Sequence, residues 1–395
     1  MPRIDCTINV RDRGQNRPLR RAYVEHVAFG VRVPGSELYI TDDNGRVRDG
    51  RGDFGIDAIP NLLNGKIDVR IICHNSVVKI PNGPLDHWVD FSIADGDTRT
   101  INNTTAPGRL DHWRLLNRFA EVYDRVFRQF GAFSNEFPLG KRATLDATRT
   151  QSKRIEVFFP TLSPGLPFVE PRGLHTRYPI IHMKEHDGRL FGTGGADPDL
   201  VPAELSHALH FSKLSDAQRH SITINYPKWI IADALAGGGG THNLTKDTDP
   251  LVAFVEAFDH FAHRLDRFMR ENPQQDGPAL RNAFIRRQLE RRVRDNSNNL
   301  IPEFGRLTGP LSTGTFVPNA VFLTSGSRSA TSIEGTIYAA LFLDFARRPG
   351  VGLRTVVQLF IQSKALSFGE FRTWVNNNRP QFQSTLDQVC LTWTL

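Results

Sequence analysis

Three cysteines in 395 residues, Cys6, Cys73 and Cys390, are few, odd in number and far apart. Such a set builds neither a disulfide framework nor a Cys-x-x-Cys metal site, and points to a reducing compartment. Long apolar runs are missing too. No window approaches the roughly 20 apolar residues that span a bilayer, and the opening MPRIDCTINVRDRG is charged with no apolar h-region. Membrane insertion and Sec-type secretion are therefore not expected, which leaves the cytoplasm, or export by a route without a Sec signal. Phosphate-cradling motifs are also lacking. Thr324-Ser325-Gly326-Ser327 and Gly237-Gly238-Gly239-Gly240 stand outside any G-x-x-x-x-G-K-[ST] or G-x-G-x-x-G context, and no G-x-S-x-G elbow occurs. These glycines read as loop residues.

What is present is a globular composition, 39% hydrophobic and 23% charged, on a chain long enough for two domains or three. The balance of 49 Lys and Arg against 42 Asp and Glu gives +7, carried almost wholly by arginine. Arg286, Arg287, Arg291, Arg292 and Arg294 form its densest run, which can meet nucleic acid or an acidic partner. No aromatic stacking platform is interleaved with it, so a solvated helix face is the simpler reading.

Residues 1–104 read as an all-β domain. Short alternating runs at 24–33, 38–41, 66–73 and 87–93 are separated by the turn signals Asp43-Asn44-Gly45, Asn64-Gly65 and Asn82-Gly83, the spacing of a sandwich. Arg17-Pro18-Leu19 through Tyr39-Ile40-Thr41-Asp42-Asp43-Asn44-Gly45-Arg46-Val47 resembles the transthyretin-like, carboxypeptidase-regulatory-like sandwiches, which implies a structural or adhesive role. A polar stretch at 95–108 reads as a linker. Residues 109–130 then predict an amphipathic helix of some six turns, with Leu110, Trp113, Leu116, Phe119, Tyr123, Val126, Phe127 and Phe130 on one face.

The second domain, 105–395, reads as α+β and mostly helical. Strands are expected at 154–159 and 178–183, a Gly- and Pro-rich loop at 192–198, and helices at 203–214, 251–271, 278–295, 333–347, 353–364 and 368–375. Within the run PAELSHALHFS, Ala203-Glu204-Leu205-Ser206-His207 is the H-E-x-x-H pattern with its first histidine replaced by alanine. In that pattern two histidines four residues apart grip zinc from one helical face, while the Glu acts as general base.

The order of strand, Gly-rich loop, E-L-S-H helix, long insertion and Phe254-Val255-Glu256-Ala257-Phe258-Asp259 resembles the gluzincin branch of the zincin metallopeptidases. The resemblance implies that Glu204 is the general base, His207 the second histidine ligand and Glu256, on the next long helix, the third. It also implies that the strand ahead of the metal helix is a sheet edge for an extended peptide. Ala203 stands in the first ligand's place. Losing one ligand from a site worth on the order of 10 to 16 kcal/mol weakens zinc by several orders of magnitude, so zinc is expected to be absent or weakly held unless a replacement is found.

His210, three residues after His207, shares nearly the same helical face and is the first candidate. His182, His242, His260 and His263 are others, although on alternation and helical periodicity they read as ordinary strand, loop and surface histidines. Glu204-x-x-His207 also fits half of a di-iron carboxylate site, but the twin E-x-x-H is missing. Glu334 can line a cleft or simply complement a helix N-terminus. Two functions follow. One is a zincin-fold, metallopeptidase-like protein that is catalytically impaired and works by binding a protein or peptide. The other is an active zinc hydrolase using His207, Glu256 and His210, with Glu204 as base.

Overall fold

The computed structural model describes residues 3–33, 38–58, 64–75, 77–81, 87–131, 155–158, 168–171, 179–183, 200–235, 249–273, 277–294, 297–319 and 334–395. The loop at 192–198, the glycines at 237–240 with His242, Asn82-Gly83 and the segment 324–327 lie outside the described residues. The chain divides into two compact units, Met1–Asp124 with Phe133–Val201, and Arg125–Ala132 with Pro202–Leu395.

The first unit is rich in strands. Its largest sheet is antiparallel, in the order Trp88–Ile93, Ile67–Ile72, Tyr23–Ala28, Leu38–Thr41, Val47–Arg48, with Val31–Arg32 folded back on Tyr23–Ala28. Alternation sends Ile67, Val69 and Ile71 inward while Asp68 faces solvent. A second sheet pairs Cys6–Asp12 with Gln15–Pro18 on one side and, in parallel, with Asp97–Ile101 on the other. That last strand corrects the expected linker. Its sequence, Asp-Thr-Arg-Thr-Ile, is polar because only Ile101 is buried.

The Thr41-Asp42-Asp43-Asn44-Gly45 signature does the work of a turn. The Asp42 carboxylate accepts from the backbone N–H groups of Asn44 (2.8 Å) and Arg46 (3.0 Å), and Gly45 sits at φ +75°. The Gly45 carbonyl accepts from the Ile8 N–H at 2.8 Å, so the turn ties the hairpin of one sheet to a strand of the other.

Helix α1, Leu110–Val122, packs against Cys6–Asp12 and Val78–Lys79. It runs on through a π-helical turn, Tyr123–Phe127, and a 3-10 turn, Arg128–Phe130, and stops at Gly131, whose φ of +66° ends the helix. All eight residues of the expected apolar face are buried. A further sheet is ordered Val78–Lys79, Ile155–Phe158, Ile180–His182, Phe168–Glu170. Here Ile180–His182 lies between two strands, so it is not the sheet edge expected of it. Contacts keep α1 and these strands with the first unit.

The second unit is helical, with two small hairpins, Arg292–Arg294 with Leu300–Pro302 and Gly305–Thr308 with Thr315–Pro318. Its helices are α2 (Leu200–Lys213), α3 (Asp216–Leu235), α4 (Pro250–Glu271), α5 (Gly277–Leu289), α6 (Glu334–Ile337, continued as a π-helix over Tyr338–Asp344 and by Phe345–Arg347), α7 (Gly352–Ser363), α8 (Phe368–Asn378) and α9 (Gln383–Trp393).

Helix α4 is central. Asp249 caps it by accepting from the Leu251 N–H at 2.9 Å, and Pro250 takes the first helical position, where a missing N–H costs nothing. Residues 252–258 are buried on every side. Phe254, Phe258 and Phe261 stack into a ring cluster with Phe342 of α6 and Phe360 of α7, at centroid separations of 4.8 to 6.0 Å. A helix so enclosed is a rigid base for the polar groups it carries.

Candidate metal centre

Four helices of the second unit bring polar side chains together where the aromatic packing gives out. Glu204 and His207 are one turn apart on α2, and Glu256 and Asp259 are one turn apart on α4, so each helix offers two groups on one face. The Nε2 of His207 lies 3.5 Å from Oε2 of Glu256, whose side chain is 2% exposed. One donor atom each from His207, Glu256 and Asp259 lie within 4.8 Å of one another.

The sequence-predicted pair, His207 and Glu256, is therefore brought together. His210 is not part of the group. Its ring lies 4.7 Å from Phe360, 5.8 Å from Phe211 and 6.2 Å from Phe258, a buried histidine in the aromatic core. Neither of its ring nitrogens has a well-formed hydrogen bond among the described residues, although the Ala365 backbone lies close enough to favour the charged ring slightly. Burial, helped by the charge on His207, pushes it down to about 3, so it is held neutral.

The rest of the cluster surrounds Glu256. The hydroxyl of Tyr226, on α3, donates a short hydrogen bond to Oε1 of Glu256, leaving Oε2 to face His207. Burial, then the charge on Glu256, raises this phenol well above its usual value, so it keeps the proton it donates. His260, one turn beyond Glu256 on α4, meets the fully buried Glu334 of α6 through its Nε2. His263 is half-buried further along α4. His182 lies in the strand-rich unit, where its Nε2 faces Glu170 at 3.3 Å. Tyr226 and Asp259 were not legible as site residues, whereas His260 and Glu334 were named singly but not as a pair.

Electrostatics follow from this crowding. Burial alone would push His207 down, but Glu256 above all, then Asp259 and Glu204, favour its charged form and raise it to about 10. Burial raises Asp259 above the usual carboxylate range. The imidazoles of His207, His260 and His263 oppose that rise and Glu256 adds to it.

Zinc or another divalent ion can be tested against this donor set. Oδ1 of Asp259 and Nδ1 of His207 are both buried without a hydrogen-bond partner among the described residues, and the first is what a cation would satisfy. One imidazole and two carboxylates are three protein ligands, the number that leaves a zinc ion an open position for water or substrate. Oxygen-rich sets of this kind also accept harder ions such as manganese. Two donors about 2.1 Å from one ion can be no more than roughly 4.2 Å apart, so the side chains would have to draw in by a few tenths of an ångström. The residues fit. Compared with known proteins, the chain matches no family model and no curated protein.

The arginine run is partly paired. Arg286 pairs with Glu290 at 3.0 Å, Arg287 with Glu271 at 2.7 Å and Arg291 with Glu303 at 3.3 Å. Glu271 is shared with Arg267 and Glu303 with Arg264, so these pairs leave a net positive charge along the run.

Proposed function

We propose that the helical unit is a hydrolase-type centre of zincin-like, gluzincin-like descent, in which Asp259 takes over from the histidine missing at Ala203. One observation carries this: His207, Glu256 and Asp259 converge from two helices on a common point, with a buried carboxylate oxygen of Asp259 left unsatisfied. His207, Glu256 and Asp259 would hold a divalent cation. Such an ion supplies Lewis acidity and lowers the pKa of bound water toward neutrality.

The chain's own residues divide the remaining tasks. Glu204, buried one turn before His207 and acting on its charge, stands in the general-base position of the motif. Tyr226 fixes the Glu256 carboxylate by holding one oxygen, so that the other is presented to the centre. Glu334 orients His260 beside Asp259. The aromatic floor of α4, α6 and α7 keeps water from the back of the cluster. The strand-rich region, read as a transthyretin-like sandwich, would serve to engage a protein or peptide rather than to react with it.

A second function is favoured by the proton on His207. A charged imidazole 3.5 Å from Glu256 is already a complete ion pair, and it needs no metal. On that account the unit binds a protein or peptide and catalyses nothing, as the loss at Ala203 implies.

Equilibrium dialysis against zinc and against manganese, followed by elemental analysis, separates the two. The proposal expects one ion per chain in the wild type, with at least 100-fold weaker binding in His207→Ala and Glu256→Gln. An ion-free wild type, together with an Ala203→His variant that does take up zinc, would establish the non-catalytic account instead.

A further inference from the structure

We propose that His87 is an acid-sensitive latch: a neutral imidazole, buried between the largest sheet and α1, that holds the helix in place and releases it once the imidazole takes a proton. The inference rests on the strand-rich unit alone and is independent of the metal centre.

His87 immediately precedes the strand Trp88–Ile93, and its carbonyl accepts from the Cys73 N–H at 2.8 Å. The residue is 2% exposed, and neither ring nitrogen has a hydrogen-bond partner among the described residues. Its ring instead makes two edge-to-face contacts with α1, to His112 and to Trp113, both with centroids 5.1 Å apart. The latch is thus a packing contact made by an uncharged ring.

Among the described residues, the titratable groups that act on His87 are all basic. They are His112 on α1, Arg109 at its start, and His74 at the end of the neighbouring strand Ile67–Ile72. The buried thiol of Cys73 is raised well above its usual value by burial and stays uncharged. No carboxylate among the described residues acts on the ring, so a proton arriving on His87 would meet low dielectric and the like charge of Arg109 together. Burial first, then His112, Arg109 and His74, push the imidazole down from 6.5 to about 3.

The sign follows by linkage. Released into water, the same ring titrates near 6.5, so between pH 6.5 and about 3 the open form binds a proton that the closed form refuses. Stability of the closed form is complete above pH 6.5 and falls as the pH drops below it. The opening equilibrium gains up to tenfold per pH unit, or about 100-fold between pH 6.5 and 4.5.

Hydrogen exchange of the α1 segment, 110–122, measured on the full chain at pH 7 and pH 4.5 and corrected for the intrinsic exchange rate, reads this directly. Wild type should lose about 100-fold of its protection in α1 on acidification, while His87→Phe, which keeps a ring of similar shape and cannot charge, should lose less than tenfold. Equal losses in the two proteins would overturn the latch. Should His87→Phe fail to fold, the imidazole nitrogen resonances of wild type decide the matter. A His87 ring that stays neutral until α1 opens supports the proposal, and one that titrates near 6.5 with α1 still protected refutes it.

Discussion

On the proposed reading, Ala203 leaves α2 one ligand short, and the side chain that answers it is not the nearest histidine but Asp259, on α4. His210 looked better placed because it shares a helical face with His207. Each step of three residues falls about 60° short of a full turn, so the offset from Glu204 grows to about 120° at His210, whose ring lies in the aromatic core. A buried imidazole without good hydrogen bonds contributes packing at best. His210→Phe is therefore expected to leave cation binding unchanged and to alter unfolding free energy by no more than about 1 kcal/mol in either direction, as urea denaturation at pH 7 would show. A loss above about 3 kcal/mol would mean that the ring makes a polar contact essential to the unit.

Helices and strands with a clear apolar period were legible in the sequence. Leu38–Thr41 was read to the residue, and the face of α1 followed from spacing alone, because one stripe of large side chains must be buried. Elements without such a period were missed. The strand Asp97–Ile101 is polar because one buried isoleucine suffices, and α3 carries Pro227 inside it and little amphipathic pattern, so the helix that delivers Tyr226 gave no signal. The meeting of α2 with α4 was legible only through the resemblance of Glu204, His207 and Glu256 to a known motif. Asp259 could not be singled out, since spacing shows which residues share a helix face but not which faces meet. The Thr41-Asp42-Asp43-Asn44-Gly45 turn illustrates the converse, a local motif with a local cause. A Cβ at Gly45 would collide with the Ile8 carbonyl oxygen, and φ is +75° there. Gly45→Ala should accordingly cost about 2 to 4 kcal/mol of unfolding free energy. A loss under about 1 kcal/mol would show that the turn does not fasten the two sheets.

Two compact units, one rich in strands and one helical, divide the chemistry of the chain between them. The histidine proposed as acid-sensitive belongs to the first and the proposed cation cluster to the second, so each unit should respond to its own ligand, proton or metal. Among the described residues no helix is long and apolar enough to cross a membrane. The central claim is that His207, Glu256 and Asp259 act together as one set of ligands, and a cobalt titration of the full chain, followed by visible absorption, tests it most directly. One equivalent of cobalt should give saturable d–d bands in wild type that are lost in His207→Ala and Glu256→Gln and strongly weakened in Asp259→Asn. Bands that persist unchanged in all three variants, or a wild type that binds no cobalt at all, would contradict it.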